Sequence, residues 1–275
     1  MSHAGFVHLH VHTAYTLSQG AIHVKDLVKQ CVGHKMPAVA VTDTDNMFSA
    51  LEFSTSATEA GVQPIIGVSL HIRNPYQVTD PKSKKYIEPD QIVLLAQTEL
   101  GYQNLMKLVS RAHLESDVAE GVQLPFDAFE GFSDGIICLT GGVSGPVGSL
   151  LLAGQNDKAE ECLVELNKYF GGRLYVEIQR HNLEDERRTE ETFLDLAYKQ
   201  DLPIVATNQP YFTSVDMYQA HDTLLCIADG TYVAENDRRK LNKDYRFKSA
   251  EEMIKLFSDL PEAIENARKI AKRCA

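Results

Sequence analysis

Three histidines stand at a spacing of two near the start of the chain, in His8-Leu9-His10-Val11-His12-Thr13. Neutral imidazoles are ligands for Zn, Mn or Fe. In a strand, residues i, i+2 and i+4 point to one side, so His8, His10 and His12 are expected to converge. The structural alternative is a run of histidines satisfied at a strand end. Two or three imidazoles do not complete a catalytic centre. Zinc takes three protein ligands plus an open position, and two-metal hydrolysis adds carboxylates that bridge the ions. What the motif does depends on what other strand ends bring to it.

The elements that would position those partners are short apolar runs alternating with amphipathic stretches. Strands are expected over Phe6–Val11, Ala38–Val41, Pro64–Ile72, Ile92–Ala96, Gly135–Leu139, Leu174–Ile178 and Pro203–Ala206. Each is rich in Val, Ile or Leu without clear alternation, as for strands buried on both faces. Helices are expected over Val24–Val32, Ser49–Ala60, Tyr102–Arg111, Ala159–Phe170 and Glu184–Lys199. Repeated βα units favour a parallel sheet, as a barrel or doubly wound. In a parallel barrel the site lies at the C-terminal strand ends, where the histidines would sit.

After residue 215 no strand is expected. Ser249-Ala250-Glu251-Glu252 reads as a capping box opening a helix through Phe257, and Pro261 suits the first turn of a last helix. That helix would present Ile264, Ala267, Ile270 and Ala271 on one face. It meets no Gly or Pro stop, which suggests a natural chain that continues. The polar, Pro-containing stretch 74–89, with Lys82-Ser83-Lys84-Lys85, reads as a solvated loop.

The chain has 275 residues, 44% of them apolar, enough for one large domain of barrel size. A net charge of -11 argues against broad nucleic-acid binding, which rests on Lys and Arg contacts to phosphates. DNA contact is therefore expected to be minor or absent. The five cysteines, Cys31, Cys138, Cys162, Cys226 and Cys274, form no CxxC pair and read as reduced thiols. No signal peptide or apolar run of membrane length is seen, so the expected compartment is the cytoplasm and no membrane partner is implied.

At this level of detail the chain resembles a known family. The His8–Thr13 motif, Val41-Thr42-Asp43, Pro64-Ile65-Ile66-Gly67-Val68, Gly101-Tyr102-Gln103-Asn104-Leu105, Val205-Ala206-Thr207-Asn208, His221–Ile227 and Ile270–Cys274 are similar, in order, to the PHP (polymerase and histidinol phosphatase) domains of bacterial DNA polymerase III α subunits. The resemblance runs from near residue 5 to the end. It implies an α/β fold: a distorted seven-stranded (β/α)7 barrel of PHP type with extra C-terminal helices. One PHP domain would fill residues 1–275, with the barrel over about 5–215 and a helical extension over about 216–275 leading towards a polymerase palm absent here.

The resemblance also implies a site of nine ligands for up to three metal ions. His10 and His12 match the paired histidines of the first strand. The other seven positions are changed. An Asp is replaced by Gln19, a His by Thr44, a Glu by Ser69, a His by Gln91, and a Cys or His by Gly142. An Asp-x-His pair becomes Gln209 and Tyr211. Without carboxylates, adjacent cations would repel each other uncompensated. No catalytic cluster is expected, and so no cofactor in this domain. His10 and His12 remain as vestigial candidates, with His8 and Asp43, for a single zinc at low occupancy. Magnesium would belong to the palm of the parent polymerase.

Three functions follow. The degraded site implies a non-catalytic domain that supports the polymerase α subunit and docks the proofreading exonuclease subunit. The intact sites of other members imply a metal-dependent phosphoesterase or 3′–5′ exonuclease. A stand-alone phosphatase of histidinol-phosphate type fits the polymerase-branch segments less well.

Overall fold

The computed structural model describes residues 3–77, 89–117 and 120–274. Most of the polar stretch expected as a loop, 78–88, lies outside the described residues. Among the described residues there are seven strands: β1 Ala38–Val41, β2 Gln63–Arg73, β3 Asp90–Ala96, β4 Leu124–Pro125, β5 Ile136–Leu139, β6 Leu174–Gln179 and β7 Ile204–Thr207. They form one mixed sheet in the order β1-β2-β3-β5-β6-β7, with β4 paired to β2. The sheet curls into a half-barrel with helices packed on it. This is the distorted barrel expected, with two departures.

The first departure is direction. The sheet was expected to be parallel, but β3 runs antiparallel to both β2 and β5, in register Gly67↔Leu95 and Leu95↔Ile137. A parallel neighbour needs a crossover of a dozen or more residues, usually a helix. No helix candidate lies between the runs Pro64–Ile72 and Ile92–Ala96, which pair here as β2 and β3, so β3 returns directly beside β2.

The second departure is the histidine segment, which is not a regular strand. It lies along β1, where the amide of Ala40 donates to His8 O (2.8 Å) and that of Thr42 to Val11 O (2.9 Å). Three residues of the segment span two of β1, so the ladder slips by one. Its far edge meets the end of β7, where His12 N donates to Pro210 O at 3.1 Å. The segment thus lies between the first and last strands of the sheet and narrows the opening there.

Helices α1 Val24–Gly33, α2 Ala50–Glu59, α3 Glu99–Glu115, α5 Asn156–Phe170 and α6 Glu184–Lys199 cover the sheet. Two helices not expected from the sequence, α4 Pro146–Leu152 and α7 Tyr218–Asp229, complete the set with α8 Ala250–Leu256 and α9 Pro261–Arg273. Helix α8 opens with the expected box: Ser249 Oγ accepts from Glu252 N, and Ser249 N donates to the Glu252 carboxylate. Helix α9 buries Ile264, Ala267, Ile270 and Ala271 in the same apolar core as Phe6 and Val39. Burying one such Ile is worth about 1.5–3 kcal/mol.

A strap of residues 242–249 joins the C-terminal helices to the barrel. Tyr211 N donates to Tyr245 O, Phe247 N to Phe212 O, and the Asn208 side-chain amide to Arg246 O. The strap continues the barrel's last segment and brings Tyr245 over its mouth.

Candidate functional site

The C-terminal strand ends open on a cleft of about 590 Å³. Gln19, Gln91, Gln209 and Tyr211, four of the replaced positions, line it, with Arg239 and Tyr245 on the strap side. Beneath it lie the histidines. The structure brings His10 and His12 together, with ring centroids 5.1 Å apart, and sends His8 elsewhere. His8 donates from Nε2 to Lys248 O and packs against Phe6 and Phe247. The slip in the histidine segment is the reason: regular alternation does not hold across it. Burial holds the His8 imidazole down to about 4, so it is neutral near pH 7.

His12 has both nitrogens engaged. Thr16 donates its hydroxyl to Asp43, so it accepts from His12 Nδ1 at 3.1 Å, and Gln209 Nε2 donates to His12 Nε2 at 3.2 Å. Tyr211 stacks on the ring at 4.3 Å, nearly parallel. Burial first, then the neighbouring His10, holds this imidazole well below its ordinary value. Asp43, one of the vestigial candidates, bonds to hydroxyls and a backbone amide and directly to neither His10 nor His12. It accepts from Thr13 N, from the hydroxyls of Thr13 and Thr16, and from Ser49 Oγ.

His10 donates from Nδ1 to Glu177 Oε1 at 2.8 Å, and its Nε2 is buried without a partner. Glu177 on β6 is fully buried and also accepts from Thr207 Oγ1, Gly141 N and Gln179 Nε2. Burial alone would raise this carboxyl. The His10 charge and hydrogen bond, with those of Thr207 and Gly141, outweigh it and set the carboxyl below its usual range.

Of the other replaced positions, Gly142 and Ser69 are buried and Thr44, Gln91 and Gln19 are half-buried. Gly142 has φ of +58°, and a Cβ there would stand 2.7 Å from Gln179 Oε1. Thr44 pairs with Ser69 through a backbone bridge, and Ser69 Oγ donates to Gln91 Oε1 at 3.4 Å. Gln91 Nε2 donates to His71 Nε2 at 2.6 Å, and His71 Nδ1 donates to Asp45 at 2.5 Å. Gln19 reaches α7 through its carbonyl, which accepts from His221 Nε2.

A metal centre fits these residues poorly. Of the paired histidines His10 and His12, His10 alone has a nitrogen without a partner, since Gln209 holds the second imidazole's lone pair; Gln179 takes the space beside residue 142. Among the described residues no group of three or more His, Cys, Asp or Glu is arranged to hold an ion. Sequence reasoning missed Glu177, Gln179 and the Asp45–His71 pair. A single acid inside an apolar strand, in Leu174-Tyr175-Val176-Glu177-Ile178, was the available signal for Glu177. A buried charge there needs a partner.

No helix among the described residues is long and apolar enough to cross a membrane. Residues 8–181 match the model of the PHP domain. The chain is 43% identical over 271 residues to the DNA polymerase III subunit alpha of Caulobacter vibrioides, covering 98% of this chain and 23% of that protein. The corresponding subunits of Pseudomonas aeruginosa and Borreliella burgdorferi are 37% and 33% identical, again over 98% of this chain. The chain thus spans under a quarter of the length of these curated relatives. Among solved structures, an amidohydrolase from Chromobacterium violaceum matches with a TM-score of 0.47 and 14% identity, over 74% of this chain and 87% of that one. On the family match and on relatives aligned along almost its whole length, the chain belongs to the PHP domain family.

Proposed function

We propose that this chain is a non-catalytic PHP domain of a DNA polymerase III α subunit. It supports the polymerase and serves as a docking platform for the proofreading exonuclease subunit. The observation that carries the reading is the state of His12: both nitrogens are hydrogen-bonded and the ring is covered by Tyr211. A catalytic metal would require Gln209 and Tyr211, which stand at two ligand positions of the resemblance, to leave. Neutral side chains at the other replaced positions cannot offset the charge of two or three cations. The parent protein in this reading is a cytoplasmic DNA-directed DNA polymerase, with nucleotidyl transfer and its Mg²⁺ in regions outside this chain.

Metal analysis of the purified chain after equilibration with Zn²⁺ or Mn²⁺ tests the chemistry. The expected result is less than one equivalent bound and no metal-dependent release of nucleotides from single-stranded DNA. Two or three equivalents with such release would replace the reading with a PHP phosphoesterase or 3′–5′ exonuclease. Co-elution with the exonuclease subunit tests the docking. Failure to form a complex, with this chain and with the full α subunit alike, counts against it.

A further inference from the structure

Away from the barrel mouth, a groove of about 640 Å³ runs between α6 and α8. Leu194 and Leu256 are half-buried in its lining. Beyond the lining, Tyr198 lies four residues on from Leu194 along the same face of α6, 57% exposed, with its hydroxyl donating to Glu262 on α9. This apolar strip is rigid. The Arg180 guanidinium ties α6 to the turn after α8: it is bidentate to Glu190, reaches Asp259 and Leu256 O at 2.7 Å, and lies over the Phe257 ring. The groove therefore exists before anything fills it.

Its lining carries four carboxylates, Glu186, Glu190, Glu191 and Asp244, against two guanidinium groups. Arg180 is consumed by Glu190 and Asp259. Glu191 and Asp195 are exposed and unpaired among the described residues. Asp244 adds a third carboxylate, answered only by Lys248 at 3.6 Å, and Arg187 is the remaining guanidinium in the lining. An apolar floor with an anionic rim repels nucleic-acid phosphates and anionic lipid headgroups. It complements a segment with apolar anchors on one face and Lys or Arg beside them, the helix-in-groove mode of recognition.

We infer that the α6–α8 groove is the docking site for a cationic amphipathic segment of a partner protein. The inference rests on the docking role proposed above, so that partner is the exonuclease subunit. Apolar anchors would cover Leu194, Tyr198 and Leu256, while basic side chains meet Glu191, Asp195 and Asp244. The pairs at the rim are exposed, so binding weakens as salt rises.

The experiment compares binding of the exonuclease subunit to the wild-type chain and to two variants, Glu191→Arg and Leu194→Asp, by isothermal titration at two salt concentrations. Glu191 is open to solvent and Leu194 is half-buried, so a thermal melt of each variant verifies its fold. The expected result is affinity at least tenfold weaker for each variant, with wild-type binding falling as salt rises. Wild-type binding that neither variant changes overturns the groove and leaves the docking role standing. No binding by the wild type overturns both. A variant that fails to fold is replaced by Asp195→Lys, at an exposed position, which reads the same charge complementarity.

Discussion

At the scale of single residues, Glu177 decides how this barrel mouth is held together. It is a fully buried carboxylate satisfied by His10 Nδ1, Thr207, Gly141 and Gln179. A catalytic metal site would use such a carboxylate to orient a ligating imidazole. Here the carboxylate and the imidazole satisfy each other. Replacing Glu177 with Ala leaves the His10, Thr207 and Gly141 donors without an acceptor in a closed interior. The expected cost is about 3–5 kcal/mol, read from urea denaturation at pH 7. The pH dependence has a definite sign. The folded carboxyl is depressed, so the stability it supplies is present above about pH 4.5 and is lost as pH falls through the lower folded value. Glu177→Ala therefore differs most from wild type at neutral pH, and the two converge on acidification. A gap that widens below pH 4.5 would contradict the assignment. The histidine motif was plain in the sequence, but this acid was not, because its partners lie 167 and 30 residues away.

At the scale of elements, the strand positions were largely legible and their directions were not. Six of seven apolar runs became strands close to their expected bounds. The run at Phe6–Val11 did not, because the slip against β1 is a property of two segments together and leaves no mark on either alone. Direction was legible only through an absence, the missing crossover helix before β3. The Gly101–Leu105 segment, useful for the resemblance, has a packing cause. A Cβ on Gly101 would stand 1.8 Å from Gly135 O, and Asn104 Nδ2 donates to Asp134 O at 3.0 Å. The start of α3 is thereby pressed onto the turn that enters β5. Gly101→Ala is expected to lose about 1–3 kcal/mol or more, since backbone rather than a flexible side chain must give way. Gly33→Ala, at the end of α1 with nothing within 4 Å of the added methyl, is the control. It is expected to be neutral or to gain up to about 1 kcal/mol. Thermal melts of both variants check the pair, and equal losses would remove the packing explanation.

At the scale of the whole molecule, the question is whether the C-terminal helices are an appendage or part of the barrel's core. Their amphipathic pattern and capping box were readable, but what they pack on was not. The structure answers in contacts: Met253, Phe257, Ile264 and Ile270 belong to the same buried cluster as Phe6, Val39 and Val205. Asn266 donates to Ile204 O, and Gln63 donates to Ala271 O. Each large apolar side chain is worth about 1.5–3 kcal/mol when buried. The four together are therefore comparable to the whole stability of a typical domain, about 5–15 kcal/mol. His8 adds a direct bond, Nε2 to Lys248 O, so the first motif of the chain is anchored on the strap that leads into these helices. Deleting residues 250–275 should therefore abolish folding rather than trim the molecule. The expected result is one cooperative transition for the full chain and no transition for the shortened one, followed by circular dichroism. A shortened chain that melts at the wild-type temperature would make α8 and α9 an independent extension, and the barrel would then owe its stability to the sheet and the first seven helices alone.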